Sequence, residues 1–220
     1  DHIGQGGLAV DEAGNAYVAG WTRSNSGIAS VGSGECECVY GDAMLVKFNP
    51  GGGRQWGTYY GGEDSDAFAS CAIAPDGSVV ACGITKSTDG VAFNSPDVVH
   101  GGWVQGGGNT NCDGLVVKFN GNGFAQWGSY CGGPLEDRAR ACAVAANGTI
   151  YVTGMTHSSE GISDVDVFDY QFEHDSTYAG GQDAFLMKFN AIGELQWGTY
   201  YGGNSLEDVL GCSVDPSGNV

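Results

Sequence analysis

Positive charge is nearly missing from this chain: eight Lys and Arg stand against 26 Asp and Glu, for a formal net charge of −18. A nucleic-acid backbone would be repelled by such a surface, whereas cations would be drawn to it. Nowhere is there a run apolar enough to span a bilayer. The sequence also has no nucleophile elbow, no P-loop, no Cys-x-x-Cys and no helix-borne metal motif. Its four histidines, His2, His100, His157 and His174, follow no pattern. These gaps exclude the commoner nucleotide-binding, zinc-binding and nucleophilic-enzyme classes that can be read from sequence. Proline is sparse at five residues, but glycine is abundant at 40, as expected of many short strands joined by tight turns.

What is present is a repeat. Asp183 to Gly203, DAFLMKFNAIGELQWGTYYGG, recurs as Asp42 to Gly62 and Asp113 to Gly133, placing Trp56, Trp127 and Trp197 at intervals of 71 and 70 residues. A second motif recurs with it, beginning at Leu8, Cys71, Cys142 and Cys212. A fixed period this long signals a solenoid, a propeller or an array. It divides the chain into 1–66, 67–137 and 138–208, with 209–220 opening a fourth copy.

Within the first copy, Leu8 to Val10 and Ala16 to Thr22 read as a hairpin, strands a and b, around a Gly-Asn turn. Asp42 to Asn49 and Arg54 to Tyr60 read as strands c and d around a Gly-rich turn. Strand c is apolar at both sets of alternate positions, so its sheet needs neighbours on both faces. The fold class expected is all-β: a propeller-like array of four-stranded antiparallel blades, about three repeats of roughly 70 residues. The DAF-L-KFN-x-x-G, WGTYYGG and AVDPSGNVYVTG-like elements resemble the seven-bladed β-propeller type repeats. That resemblance implies a secreted or surface protein and leaves activity unassigned. The chain departs from the pattern in its long period and in holding about three blades, fewer than a closed ring requires.

Meander geometry sends the a–b and c–d turns to one end of each blade and the b–c and d–a loops to the other. The second end carries the long inserts 23–41, 86–112 and 157–182 and the acidic corners GGEDSD, GGPLED and GGNSLED. All but six of the 26 acids, the six being Asp1, Asp11, Glu12, Asp76, Glu194 and Asp215, belong to that end or its rim. Asp66, Asp137 and Asp208, with Asp64, Glu136 and Glu207 close by, are the candidate calcium ligands, because calcium takes carboxylate and loop-carbonyl oxygens. The same aspartates read more readily as corner residues that accept backbone N–H bonds. No motif requires a cofactor, so calcium is the one ion to consider. Lys47, Lys118 and Lys188 form one column in strand c and read as structural, reaching a rim carboxylate or carbonyl.

Eight cysteines in an acidic chain point to an oxidising, extracellular or cell-surface location. Cys71, Cys142 and Cys212 share one strand-a position. Cys71 and Cys82, equidistant from the centre of Pro75–Ser78, are expected to pair as a disulfide across the a–b hairpin. Cys36-x-Cys38, Cys112 and Cys131 lie elsewhere and read as disulfide-forming more readily than zinc-binding. Asn147-Gly-Thr149 is a glycosylation sequon in a turn. The expected function is that of a non-catalytic extracellular structural or adhesive module and glycoprotein, a building block of a surface assembly or filament. Its partners would be further repeats or identical subunits at open blade faces, and glycans or surface proteins at the acidic loops. The alternative is a glycan-processing enzyme using loop carboxylates such as Asp164 and Asp166, to be recognised by a pocket flanked by two carboxyl groups.

Overall fold

The computed structural model describes residues 7–31, 41–95, 112–163 and 177–220; Cys36, Cys38, His2, His100, His174, Asp164 and Asp166 lie outside them. Among the described residues twelve strands form three four-stranded antiparallel sheets, each a meander in chain order. Blade 1 is β1 (Leu8–Val10), β2 (Ala16–Thr22), β3 (Asp42–Phe48) and β4 (Arg54–Tyr60). Blade 2 is β5 (Asp66–Ile73), β6 (Val79–Thr85), β7 (Asp113–Phe119) and β8 (Ala125–Cys131). Blade 3 is β9 (Asp137–Val144), β10 (Ile150–Thr156), β11 (Asp183–Phe189) and β12 (Leu195–Tyr201). No helix occurs among the described residues. The three tryptophans are equivalent: Lys47 pairs Trp56, Lys118 pairs Trp127 and Lys188 pairs Trp197, each followed by the same one-residue bulge.

The sheets stack face to face, and the alternation within blade 2 shows why. Val79 and Ala81 of β6 and Leu115, Val117 and Phe119 of β7 join the core shared with blade 1. Val80, Cys82 and Val116, one residue out of phase, join the core shared with blade 3. Every residue of β6 and β7 is buried, the mark of a strand covered on both faces. Each large apolar side chain so withdrawn from water contributes about 1.5–3 kcal/mol.

One polar contact fixes how far each blade slides over the next. Trp56 Nε1 donates to the Gly121 carbonyl at 3.0 Å, and Trp127 Nε1 to the Ala191 carbonyl at 3.3 Å, both in the c–d turn of the following blade. The indole lies against that turn's glycine: a methyl group on Gly123 would sit 2.8 Å from Trp56 Cε3, and one on Gly193 2.9 Å from Trp127 Cδ2. The first-blade counterpart, Gly52, has the same left-handed backbone, φ +80°, with nothing within 4 Å.

One expectation is corrected by register. Cys71 and Cys82 are both free thiols, and Cys82 lies opposite Ser70 while Cys71 lies opposite Ala81. The Ala74 N–H bonds the Ser78 carbonyl at 2.8 Å around a three-residue turn, Pro75-Asp76-Gly77, with Gly77 at φ +79°. An odd loop centres the ladder on Asp76 rather than between two residues. The one-residue shift sends the two thiols to opposite faces of the sheet. Residues 209–220, the opening of the fourth copy, hold the Asp215–Asn219 turn.

The stacking contact makes a testable difference between equivalent glycines. Gly123→Ala adds a clash with the Trp56 indole to backbone strain, whereas Gly52→Ala adds backbone strain alone, about 1–2 kcal/mol. Urea unfolding is expected to show Gly123→Ala costing at least ~1 kcal/mol more than Gly52→Ala, in the range of overpacked cores. Equal costs would mean that the indole does not set the spacing of the blades.

Candidate functional site

The loop end of each blade junction is built around a buried carboxylate. Asp66 opens β5, and its N–H donates to the Gly41 carbonyl of blade 1 at 2.9 Å; the Asp137 N–H reaches the Cys112 carbonyl of blade 2 at 2.8 Å. Asp66 Oδ2 accepts from the Gly62 N–H at 2.9 Å and from Ser87 Oγ at 2.8 Å. Asp137 Oδ2 repeats this with the Gly133 N–H at 2.7 Å and Ser158 Oγ at 2.9 Å. Each serine is aimed by a threonine two residues before it: the Ser87 N–H donates to Thr85 Oγ1 at 3.0 Å and the Ser158 N–H to Thr156 Oγ1 at 2.9 Å. The sequence carries this as Thr-Xaa-Ser at the end of strand b, including Thr22-Arg23-Ser24, a signal the column of acids alone does not reveal.

A second buried carboxylate starts strand c at every junction: Asp42, Asp113 and Asp183. At the blade 3 corner the two acids converge on the Gly-Gly turn, where a methyl group on Gly202 would lie 2.6 Å from Asp183 Oδ1 and 2.8 Å from Glu207 Oε2. Burial pushes the Asp66 carboxyl up to about 6, with the neighbouring Asp42 charge adding to it. Burial likewise raises Asp113 to about 7, with Asp137 as the second cause, and Asp137 itself to about 6. The donors from Gly62, Ser87, Gly133 and Ser158 oppose the shift without cancelling it.

The candidate ligands therefore do not converge. Asp66 and Asp137 belong to successive junctions, each occupied by donors of its own corner. Asp64 accepts from the Ser65 N–H at 2.6 Å, and its own N–H donates to Ser87 Oγ at 3.0 Å. Asp208 is exposed and pairs with Arg140, the bulge residue of β9, at 3.3 Å. The third corner acid is Glu207, whose Oε2 accepts from the Gly203 N–H at 3.0 Å and whose N–H donates to the Gln182 carbonyl at 2.8 Å. Counting back five residues from the column cysteine gives Asp66, Asp137 and Glu207, so Asp208 stands one position late. Among the described residues no group of three or more His, Cys, Asp or Glu could hold a metal ion. The four residues Asp64, Asp66, Asp137 and Asp208 do not supply the six to eight oxygens of one calcium site.

The remaining candidates are placed as follows. Lys118 reaches both Asp76 Oδ2, at 3.1 Å, and the Ala191 carbonyl of blade 3, at 3.3 Å; Lys47 lies over the Tyr17 ring at 5.0 Å and Lys188 over Trp197 at 5.8 Å. Asn147 is exposed at the β9–β10 turn, with its Oδ1 accepting from the Thr149 N–H at 3.0 Å. Between blades 1 and 2 lies a cavity of about 300 Å³, aromatic through Tyr59, Tyr60, Phe93 and Phe124. Among the described residues Asp42 is the one carboxylate in its lining.

The raised carboxyls fix the sign of a pH dependence. A group whose folded value lies above its unfolded value stabilises fully below about pH 4 and loses that contribution as the pH rises through 6 to 7. Stability is expected to fall between pH 5 and pH 8, and Asp113→Asn is expected to flatten the fall and add on the order of 1–3 kcal/mol at pH 8. Glu160→Gln, at an exposed site, controls for the general repulsion of an acidic chain. Denaturant midpoints across that range decide it: an Asp113→Asn profile parallel to wild type would show that the buried acid is not the cause.

One comparison agrees with this architecture, and a second finds a relative. Residues 6–27, spanning the first a–b hairpin, match the family model described as Beta-propeller repeat. Over 155 residues the chain is 28% identical to the regulatory protein FlaEY of Caulobacter vibrioides, an alignment that covers 70% of this chain and 15% of that protein. The chain thus resembles the Beta-propeller repeat family, by the hairpin matched and by three sheets of one repeated design.

Proposed function

We propose that this chain is a non-catalytic structural and adhesive repeat module of an extracellular or cell-surface assembly, joined through its blade faces to further repeats or to identical subunits. One column of strand d carries the proposal. Tyr60 is covered by blade 2, at 9% exposed, and Cys131 by blade 3, at 0%, whereas Tyr201, their counterpart, is 81% exposed. Leu206 and Leu210 are exposed near it, and at the opposite end Leu8 and Val10 of β1 are exposed. Ala9, between those two, packs toward blade 2. The two open faces are different patches of one repeated design, so contact between copies is head-to-tail and propagates unless its rotation closes a ring.

The loop end is the surface offered to other molecules, with its exposed acids the site for cations, glycans or a surface protein. Asn147 is where a glycan would attach, at the turn end, away from those loops. An oxidising location accords with the cysteine content. Fold alone does not assign activity, and the function rests on the faces rather than on a reaction.

Sedimentation velocity over a concentration series tests this. Wild type is expected to grow into a series of larger species, and Tyr201→Glu, which places a charge on the open face without touching a packed blade, is expected to remain monomeric. Wild type and Tyr201→Glu sedimenting as the same monomer throughout would contradict the proposal.

A further inference from the structure

The cysteine column of strand a meets a defined position of the preceding blade. Cys71 Sγ lies 3.6 Å from the Tyr17 carbonyl of β2, and Cys142 Sγ lies 3.5 Å from the Val80 carbonyl of β6; Tyr17 and Val80 are the second residues of their strands. Two residues further along, on the same face, strand b carries Ala19 in blade 1, Cys82 in blade 2 and Thr153 in blade 3. Cys212 of the fourth copy accordingly shares a cavity wall with Thr153. Among the described residues, the junction between blades 2 and 3 is therefore the place where the column cysteine faces a cysteine of the preceding strand b. The contacts agree: Cys142 Sγ is 3.9 Å from Ser70 Oγ, and Ser70 is the cross-strand partner of Cys82, with its side chain on the same face. Cys82 and Cys142, both free thiols in this structure, belong to one buried cluster.

We propose that Cys82 and Cys142 form a disulfide that fastens blade 2 to blade 3, made by exchange with a small-molecule or protein disulfide oxidant. One thiolate attacks a sulfur of the oxidant, whose other sulfur leaves as a thiolate, giving a mixed disulfide. The second cysteine thiolate attacks the cysteine sulfur of that intermediate and expels the oxidant's second sulfur. Two electrons and two thiol protons pass to the oxidant, which ends as two thiols, and one S–S bond is formed. Cys82 is wholly buried and Cys142 nearly so, at 0% and 6% exposed. Burial also pushes the Cys82 thiol well above its ordinary value, so it is inert once the blades are seated. Exchange therefore precedes the docking of β9 on β6, and the finished bond is sealed from reductants. It would close a loop of about 60 residues, long enough for a large restriction of the unfolded chain.

The full chain, refolded in a buffer of reduced and oxidised glutathione, is unfolded in the presence of iodoacetamide and digested without reduction. A peptide linking Cys82 to Cys142 is expected, together with a thermal midpoint that falls by about 5 °C or more when the protein is refolded with reductant. Cys82→Ala recreates the Ala19–Cys71 arrangement of the first junction, so it is expected to fold. In it the linked peptide and the corresponding share of the reductant-sensitive shift should both disappear. Recovery of Cys82 and Cys142 as carbamidomethyl residues, or of either joined to a different cysteine, would overturn the proposal.

Discussion

A four-stranded sheet that is apolar on both faces cannot stand alone in water, and the rest of this structure follows from that constraint. Residues of β6 one position apart enter different cores, Val79 and Ala81 on one side and Val80 and Cys82 on the other. Burial by itself would allow the blades to slide. The indole of strand d removes that freedom by pairing a directional N–H with a glycine that leaves room for the ring. Lys118 adds a charged tie at the same end, joining its own a–b turn to the next blade's c–d turn. The same constraint explains why Tyr60 is buried and Tyr201 is not, and links packing to the proposed assembly.

The loop end obeys a different balance. Each corner must turn the chain from the outermost strand of one blade to the first of the next, leaving N–H groups that the sheets do not use. Asp66 and Asp137 gather those donors, with Ser87 and Ser158 completing the set. Fixing a carboxylate there sets it beside another, Asp42 or Asp113, in a place water scarcely enters. The corner is thus well hydrogen-bonded yet electrostatically strained, and protonation relieves it. Charge repeated for structural reasons gives the acidic end its character, and among the described residues it gathers no group of three or more metal-ligating side chains.

Much of this was legible in the residues. Strands β1, β2 and β4 lie where apolar alternation and the Gly-Asn and Gly-rich turns place them, because both signals are local. Trp56, Trp127 and Trp197 align because the repeat itself aligns them. The Cys71–Cys82 pairing failed on one backbone detail: whether the Pro75-Asp76-Gly77 turn contributes an odd or an even number of residues is set by the conformation of Gly77, not by composition. Asp208 failed differently, since Asp and Glu are neighbours in the third corner and only contact with the Gly203 N–H singles out Glu207. The pairing of Cys142 with β6 rather than with its own hairpin depends on how blades stack, which no single repeat encodes.

Hydrogen–deuterium exchange tests most directly whether each blade owes its stability to its neighbours. Strands β6 and β7, covered on both faces, should exchange slowest in the dilute chain, while β12 and β1 exchange faster and gain protection as concentration rises. Three blades exchanging at one common rate, unchanged with concentration, would contradict the account.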